Sequence, residues 1–316
     1  MQQNKIAILF PGQGSQYLGM GEAFLEADAN AEQLMELAES VSSSPIKKLC
    51  LEGPMEDLTQ AVNLQPALTT ANLICWQAVE KAGIVADYFA GHSLGEYSAL
   101  CAAGVLSKED TLRLVTERGK LSDREGTKNP GGMQAILGLT LDEVEKILFG
   151  LSSDGVAIVA NHNTETQIVI SGENEALQEV EGIVAERGGR AITLNVSVAN
   201  HSPLIAGAVP DFEKVLNSIP FSPPVKPVLF NVTGVEETDP DEIRAIMTRQ
   251  IVSRVRWFEI INNLKDKGVN IFIEVGPKTI LKGLLKKIVP RSAGVKTFQV
   301  DTPETLAKCV DGIAAL

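Results

Sequence analysis

The chain has 316 residues and a formal net charge of −12, with 44% hydrophobic, 22% charged and 5% aromatic residues. This composition is that of a globular protein with ample core, whereas the acidic charge and the few aromatic residues argue against a nucleic-acid binder. The four cysteines are scattered without metal-ligand spacing, so we expect reduced thiols and a cytoplasmic location.

The first stretch predicts a strand followed by a glycine-rich turn. The apolar run 6–10 is typical of a buried strand, and Pro11-Gly12 ends it too early for a signal sequence or a membrane span. The turn over 11–16 leads into a helix from about Leu18. It is not a dinucleotide fingerprint, because Tyr17 stands where the third glycine belongs, and it lacks the lysine of a phosphate loop. We interpret it as a plain strand-to-helix turn.

The segment Gly91-His92-Ser93-Leu94-Gly95 has the Gly-x-Ser-x-Gly pattern of a nucleophilic serine. The apolar residues over 84–89 predict a strand before it, and 97–105 predicts a helix after it. A serine between strand and helix, flanked by glycines, can sit on a sharp turn with its hydroxyl facing a cleft. We therefore predict that Ser93 is a nucleophile. The alternative is a tight turn without chemistry.

Helical patterns lie on both sides of this segment. Residues 57–80 read as helix, and Pro66 predicts the start of a second helix there, because proline suits the first helical position. Residues 107–110 resemble a capping box that opens a helix carrying Arg118. A stretch rich in charge, glycine and proline over 123–132 predicts a linker.

The pattern then changes to one that predicts a small inserted domain. Strands are predicted over 133–139, 156–160, 167–171 and 191–198, and helices over 141–151 and 174–187. The order βαββαβ is that of a ferredoxin-like unit. We therefore predict a small subdomain over 128–199, inserted into a discontinuous large domain made of 1–127 and 200–316.

The large domain is predicted to be α/β with a mainly parallel sheet, because strands alternate with helices on both sides of the insertion. Further strands are predicted over 228–232 and 269–275, and Gly276-Pro277 introduces a last helix. Ligands of such sheets lie beyond the carboxyl ends of the strands. Ser93 and the turn containing Gln13 both occupy such ends.

A serine needs a base, and the chain has three histidines. His92 lies in the turn itself, and its side chain should point away from Ser93. His162 falls near a hairpin of the small subdomain. His201 lies where the chain re-enters the large domain, so it is the candidate base. No histidine follows it, which excludes the usual α/β-hydrolase order of serine, acid and histidine.

These residues resemble the malonyl-CoA:acyl carrier protein transacylase family over nearly the whole length. The family fold implies a hydrolase-like α/β core with an inserted ferredoxin-like subdomain. The motifs that carry the resemblance are Pro11-Gly-Gln-Gly-Ser-Gln16, Leu64-Gln-Pro-Ala-Leu68, Gly91-His-Ser-Leu-Gly-Glu-Tyr-Ser-Ala-Leu100, Arg118-Gly-Lys120, Gly131-Gly-Met133, Val196-Ser-Val198 with His201, Arg249-Gln250 and Glu274-Val-Gly-Pro277.

The resemblance implies a role for each site residue. Ser93 would attack the thioester of malonyl-CoA, with His201 as general base and then general acid. The main-chain amides of Gln13 and Leu94 would form the oxyanion hole. The main-chain carbonyl of Gln250 would orient His201 in place of an acid.

The resemblance further implies that Arg118 holds the malonyl carboxylate. The implied substrates are malonyl-CoA and phosphopantetheinylated acyl carrier protein, with no metal or redox cofactor, no nucleic acid and no membrane. A monomer is expected. The segment Val198-Ala199-Asn200-His201 matches neither the His-Ala-Phe-His pattern of malonyl-selecting polyketide domains nor the Tyr-Ala-Ser-His pattern of methylmalonyl ones, so the side-chain preference stays open, as does the choice of pathway.

Two other functions stay open at this point. One is a hydrolase that clears acyl groups from carrier proteins, which would not need Arg118. The other is a non-catalytic carrier-binding module, which predicts no covalent adduct on Ser93. As a hypothesis, four lysines near the last helix provide a basic face for the carrier protein or the CoA phosphates; a solvated helix end is the alternative. They are Lys278, Lys282, Lys286 and Lys287.

Overall fold

The computed structural model describes residues 4–196 and 198–316, which form two β-sheets surrounded by helices. The strands are β1 (Ile6–Phe10), β2 (Tyr88–Gly91), β3 (Gly132–Leu137), β4 (Ala157–Thr164), β5 (Gln167–Gly172), β6 (Arg190–Thr193), β7 (Val228–Leu229), β8 (Glu236–Glu237), β9 (Ile271–Val275) and β10 (Lys296–Val300). The α-helices are α1 (Glu22–Leu25), α2 (Ala29–Ser42), α3 (Ile46–Leu51), α4 (Met55–Thr59), α5 (Ala61–Lys81), α6 (Gly95–Ala102), α7 (Lys108–Lys128), α8 (Leu141–Phe149), α9 (Asn174–Glu186), α10 (Val209–Asn217), α11 (Pro240–Gln250), α12 (Trp257–Asp266), α13 (Ile280–Ile288) and α14 (Pro303–Ala314).

The larger sheet has the strand order β10-β9-β1-β2-β7-β8, and all its pairings except β7–β8 are parallel. Its central strands are buried on both faces, which is why β1 and β9 are continuously apolar apart from Glu274. Phe10 pairs with Gly91 at the ends of β1 and β2. The turns after these two strands therefore meet at one edge of the sheet, as predicted.

The smaller sheet is antiparallel, with the order β4-β5-β3-β6. Its elements follow the predicted order βαββαβ and lie within 128–199, so the expected fold class is confirmed; the exact domain division stays a prediction. Met1–Gln3 and Ser197, which falls in the predicted strand 191–198 and in the motif Val196-Ser197-Val198, lie outside the described residues. The last strand of this sheet ends earlier than predicted, at Thr193.

The two sheets are joined by main-chain hydrogen bonds from β4 to the segment that precedes α12. The amide of His162 donates to the carbonyl of Val255 (2.9 Å), and the amide of Val255 donates to the carbonyl of Ala160 (2.8 Å). Because these bonds fix β4 beside the large sheet, the smaller sheet covers one side of the edge where the turns meet.

The predicted second helix start at Pro66 is wrong, and so is the predicted linker over 123–132. Helix α5 runs unbroken through Pro66, and α7 continues to Lys128. A residue of the predicted linker instead helps to set the start of α5. The carboxylate of Asp123, on α7, accepts hydrogen bonds from the amides of Ala61 (3.2 Å) and Val62 (2.8 Å), so it caps α5 from a distance in sequence.

The first helix and the elements at the C-terminal end also differ from the prediction. The first helix begins at Glu22 instead of Leu18. Gly19 and Gly21 have positive φ values, which a right-handed helix does not allow, so the chain stays in turns until Glu22. The helix after Gly276-Pro277 is not the last one. Strand β10 and helix α14 follow it; β10 is a half-exposed edge strand without a continuous apolar run.

We expect Asp123→Ala to lower the free energy of unfolding by about 1–2 kcal/mol, because two amides of α5 lose their acceptor. Asp123→Asn keeps one acceptor oxygen and should lose less. Urea denaturation followed by circular dichroism measures both. Equal stability of Asp123→Ala and the wild type would contradict the capping role.

Candidate active site

Ser93 lies on a sharp turn between β2 and α6, as its sequence setting predicts. Its φ is 50°, in the left-handed region that costs a non-glycine residue roughly 1–2 kcal/mol. A Cβ on Gly91 would clash with the main chain of Gly95, and one on Gly95 would clash with the last carbonyl of β1. Gly12 packs in the same way against the carbonyl of His92. These glycines bring the turns after β1 and β2 into direct contact.

His201 is in hydrogen-bond contact with Ser93: its Nε2 lies 2.7 Å from the serine Oγ. On the other side of the ring, Nδ1 lies 3.1 Å from the carbonyl oxygen of Gln250 and 2.9 Å from that of Ser253. Two acceptors at Nδ1 place the ring proton there and leave Nε2 free to accept the serine proton. Within the described residues, the partners of Nδ1 are main-chain carbonyls and not a carboxylate.

The ionisation of His201 is set by its surroundings. The side chain is buried, and burial together with the nearby positive charge of Arg118 lowers the pKa of His201 to about 3, although hydrogen bonds to Gln250 and Ser253 act in the opposite direction. His201 is therefore neutral at ordinary pH, which is the state that a general base needs.

Arg118 is a buried cation beside the nucleophile. It is 4% exposed, it donates through one terminal nitrogen to Oε1 of Gln65 (3.0 Å), and the other terminal nitrogen lies 3.4 Å from Ser93 Oγ. The guanidinium also lies over the ring of Tyr97, 5.7 Å from its centroid. No carboxylate of the described chain is within salt-bridge distance of Arg118, and its Nε has no acceptor there. A buried charge of this kind suits an anionic ligand.

The amides of Gln13 and Leu94 lie on the two turns that the glycines bring together. In the residues that the structure describes, neither amide has a main-chain or side-chain acceptor, whereas the neighbouring amides of Gly14, Ser15 and Ser93 are all bonded. Helix α6 starts directly after Leu94, so its N-terminal dipole lies at the same place. Two free donors beside a serine are the arrangement of an oxyanion hole.

The six residues named by the sequence analysis are brought to one place, five of them around a cavity of about 180 Å³ between the two sheets. Gln250 acts behind this cavity, through its contact with His201. The smaller sheet supplies the opposite wall. The cavity lining includes Gln13, Ser93, Leu94, Arg118, His201, Met133, Asn161, Asn163, Val169 and Asn200.

The other two histidines have partners other than Ser93. Nε2 of His92 lies 2.8 Å from Oδ1 of Asn163, and both residues line the same cavity as Ser93. Nδ1 of His162 lies 3.2 Å from a carboxylate oxygen of Glu259. The first contact joins the turn after β2 to β4, and the second joins β4 to α12.

Four residues around the site were given no role by the sequence analysis, although Gln65 and Glu96 lie in the quoted motifs: Gln65, Glu96, Asn231 and Ser253. Asn231 holds the Ser93 turn, with its Oδ1 accepting from the amide of Ser93 (2.7 Å) and its Nδ2 donating to the carbonyl of Gly91 (2.7 Å). Its position two residues after β7, at the carboxyl end of a parallel strand, is a signal that could have identified it. Ser253 acts through its main chain, which carries no sequence signal.

The four lysines of the docking hypothesis do not share one helix face. Lys278 precedes α13 and has a φ of 63°, and its Nζ lies 3.4 Å from the carbonyl of Gly14. Lys282 is half-buried, and Lys286 and Lys287 are exposed near the end of α13. Lys287 donates to Gln167 of the smaller sheet (2.9 Å). The docking role stays a prediction.

The sequence profile of the acyl transferase domain family matches residues 8–301. The chain belongs to the acyl transferase domain family. It is 38% identical over 305 residues to a malonyl CoA-acyl carrier protein transacylase of Bacillus subtilis (strain 168), covering 96% of this chain and 95% of that relative. It is 37% identical over 290 residues to the protein of the same description from Salmonella typhimurium (strain LT2), covering 90% and 93%.

Solved structures of this family have the same fold. The malonyl CoA-acyl carrier protein transacylase of Coxiella burnetii superposes with a TM-score of 0.93 at 33% identity, covering 98% of this chain and 97% of that one. A malonyl-transacylase solved in complex with its type II PKS acyl-carrier protein gives 0.93 at 33% identity, covering 98% and 100%. The resemblance to the malonyl-CoA:acyl carrier protein transacylase family is therefore confirmed.

No helix in 4–196 or 198–316 combines the length and the apolar character that a bilayer span requires. The same ranges hold no group of three or more His, Cys, Asp or Glu side chains arranged to bind a metal ion.

The low pKa of His201 predicts an unusual pH profile. His201 stays neutral from about pH 8 down to about pH 5, so its protonation should slow the inactivation of Ser93 by a neutral serine reagent, phenylmethanesulfonyl fluoride, only below about pH 5. The buried carboxyl of Glu96, whose pKa is raised to about 7 by burial, titrates within that range, and Glu96→Gln removes its contribution to the profile. Arg118→Gln removes one cause of the low pKa, so the pH at which inactivation slows should rise. Arg113→Gln, an exposed arginine on the same helix, is the control. A midpoint near the ordinary histidine value that persists in Glu96→Gln would contradict this description.

Proposed function

We propose that the chain transfers the malonyl group of malonyl-CoA to the phosphopantetheine thiol of an acyl carrier protein by a ping-pong mechanism. The observation that carries this proposal is the contact of Ser93 Oγ with His201 Nε2 at 2.7 Å beside the unpaired cation Arg118. The first feature provides a nucleophile with its base, and the second suits an acyl group that ends in a carboxylate. The family relatives described above support the same reaction.

In the first half-reaction, Nε2 of His201 takes the proton of Ser93 as Oγ attacks the thioester carbonyl. The resulting oxyanion accepts hydrogen bonds from the amides of Gln13 and Leu94, each worth about 3 kcal/mol in related acyl transfers. The carbon–sulfur bond then breaks, His201 returns the proton to the sulfur, and CoA leaves. Ser93 is left as a malonyl ester.

In the second half-reaction, the thiol of the carrier protein gives its proton to His201 and attacks the ester carbonyl. The same two amides stabilise the second oxyanion. The carbon–oxygen bond breaks, Ser93 recovers its proton from His201, and malonyl carrier protein leaves. Both half-reactions return His201 to the neutral state, so no net proton is consumed.

Arg118 fixes the acyl group in one orientation. Its free N–H groups can donate to the malonyl carboxylate, while Gln65 holds the guanidinium in place. The charge pair forms in a buried site, where screening by solvent is weak. This argues against the acyl hydrolase alternative, because removal of simple acyl chains gains nothing from a buried cation.

The proposal includes the wider setting of the enzyme. Its substrates are a CoA thioester and an acyl carrier protein in fatty-acid or polyketide synthesis, and none of the steps above uses a metal or redox cofactor. We also propose a cytoplasmic monomer that binds neither nucleic acid nor membrane.

The covalent intermediate is the decisive test. Brief mixing with malonyl-CoA should add one malonyl group to the wild type, detected by intact-mass spectrometry, and adding acyl carrier protein should remove it. Ser93→Ala should form no adduct. Absence of an adduct on the wild type would favour the carrier-binding module, and faster loss of the adduct to water than to carrier protein would favour the hydrolase.

Arg118→Ala should shift the preference of the enzyme from malonyl-CoA towards acetyl-CoA. We expect kcat/KM for malonyl-CoA to fall by about 100-fold, since a buried charge-assisted pair is worth roughly 2–3 kcal/mol, and kcat/KM for acetyl-CoA to fall much less. Arg113→Ala serves as the matched control on the same helix. An equal loss for both thioesters would show that Arg118 does not recognise the carboxylate.

A further inference from the structure

Glu96 is a buried carboxylate that the proposed chemistry does not use. It is 0% exposed and lies in the first turn of α6, three residues after Ser93. Burial raises the pKa of Glu96 to about 7, although hydrogen bonds from Asn231 and Gln250 act against this shift. A carboxylate in such a place is costly, so its partners indicate its role.

Each oxygen of Glu96 accepts a hydrogen bond from a residue that holds the Ser93 peptide. Oε1 accepts from the main-chain amide of Asn231 (2.6 Å), and Oε2 accepts from Nε2 of Gln250 (2.9 Å). The Asn231 side chain in turn accepts from the amide of Ser93, and Gln250 Nε2 also donates to the carbonyl of Ser93 (2.9 Å). Both ends of the strained serine are thus held by partners of one carboxylate.

The same carboxylate reaches the base. The main-chain carbonyl of Gln250 accepts from Nδ1 of His201, while its side chain is bonded to Glu96. Gln250 is the last residue of α11, so the carbonyl that accepts from His201 and the side chain that donates to Glu96 lie at one helix end. A displaced Gln250 side chain would therefore alter the orientation of His201 as well as that of Ser93.

A purely structural role for Glu96 as a helix cap does not fit its contacts. The first amides of α6, those of Gly95, Glu96 and Tyr97, donate to main-chain carbonyls of the turn and not to the Glu96 carboxylate. Glu274 shows the contrast: it is equally buried, its pKa is also raised to about 7, and it accepts from the amides of Leu281 and Lys282 in α13. Glu274 is a capping carboxylate, whereas Glu96 is not.

We propose that Glu96 is a positioning residue that couples the Ser93 turn to the carbonyl that orients His201. The proposal rests on the proposed function of these two residues, but it concerns their alignment before any acyl group binds. A glutamine at position 96 cannot replace the carboxylate. Both partners of Glu96, the amide of Asn231 and Nε2 of Gln250, are N–H donors. The amide nitrogen of a glutamine is also a donor, so it would face one of these two donors without forming a hydrogen bond.

The test compares Glu96→Gln with the wild type in two assays. The first is the rate of Ser93 inactivation by phenylmethanesulfonyl fluoride, and the second is kcat and KM for malonyl transfer to carrier protein. We expect both the inactivation rate and kcat to fall by about tenfold or more, because small displacements of reacting groups are costly, while KM stays within about twofold. Glu96→Asp, which keeps both acceptor oxygens, should recover part of the loss.

Two further variants separate positioning from stability. Glu274→Gln neutralises the matched capping carboxylate, so it should lower Tm about as much as Glu96→Gln yet keep most of the inactivation rate. Gln250→Met removes the amide donor but retains the main-chain carbonyl, and it should reproduce the kinetic defect of Glu96→Gln. The variant that combines Glu96→Gln with Gln250→Met should have an inactivation rate only slightly below that of the slower single variant, because both changes remove the same Glu96–Gln250 hydrogen bond.

Several outcomes would overturn the proposal. The first is an inactivation rate in Glu96→Gln within about threefold of the wild type. The second is an equal loss of inactivation rate in Glu274→Gln when its Tm matches that of Glu96→Gln. The third is an additive loss of inactivation rate in the variant that combines Glu96→Gln with Gln250→Met. Should Glu96→Gln fail to fold, a wild-type inactivation rate in Gln250→Met would overturn it. Since the reagent needs no malonyl group, a wild type that reacts with it but forms no malonyl adduct would refute the proposed function and not this inference.

Discussion

The site depends on the strained backbone of Ser93, whose positive φ turns its hydroxyl towards the base. That conformation is unfavourable for a residue with a side chain, so the surrounding structure has to impose it. Glycines at 12, 91 and 95 allow the two turns to touch. Asn231 and Gln250 then hold the amide and the carbonyl of Ser93, and each is bonded to Glu96. Every partner in this set is buried, so no water competes for the hydrogen bonds.

Electrostatics in the site favour a neutral base and an anionic substrate at the same time. Arg118 has no carboxylate within salt-bridge distance in the described chain, and its charge is one reason why the pKa of His201 is low. A carboxylate bound to Arg118 would offset that charge. The base would then strengthen when an acidic acyl group is in place, whereas a neutral acyl group would leave it weak. Selectivity in such a site arises from rate as well as from binding.

Local patterns predicted much of this molecule, and long-range contacts account for the rest. The Gly-x-Ser-x-Gly turn, the order βαββαβ and the position of His201 at the return to the large domain could be predicted, because each is encoded in neighbouring residues. The cap of α5 by Asp123 could not, since its partners lie about 60 residues away. For the same reason Ser253 was missed, because a main-chain acceptor is supplied by the fold and not by a residue type. Glu96 did carry a signal, as a charged residue at the head of an otherwise apolar helix.

The segment that follows α11 connects His201 to the smaller sheet, which forms the opposite wall of the cavity. Gln250 and Ser253 supply the two carbonyls for His201, and Val255, two residues later, pairs with β4 of the smaller sheet. A carbonyl cannot take the proton of the imidazole, so it orients the ring without changing the charge of the site. An ester on Ser93 must survive until a thiol arrives, which requires that water be kept out. One short stretch of main chain therefore both orients the base and anchors the wall that faces the ester, so the alignment of His201 and the enclosure of the cavity depend on the same backbone.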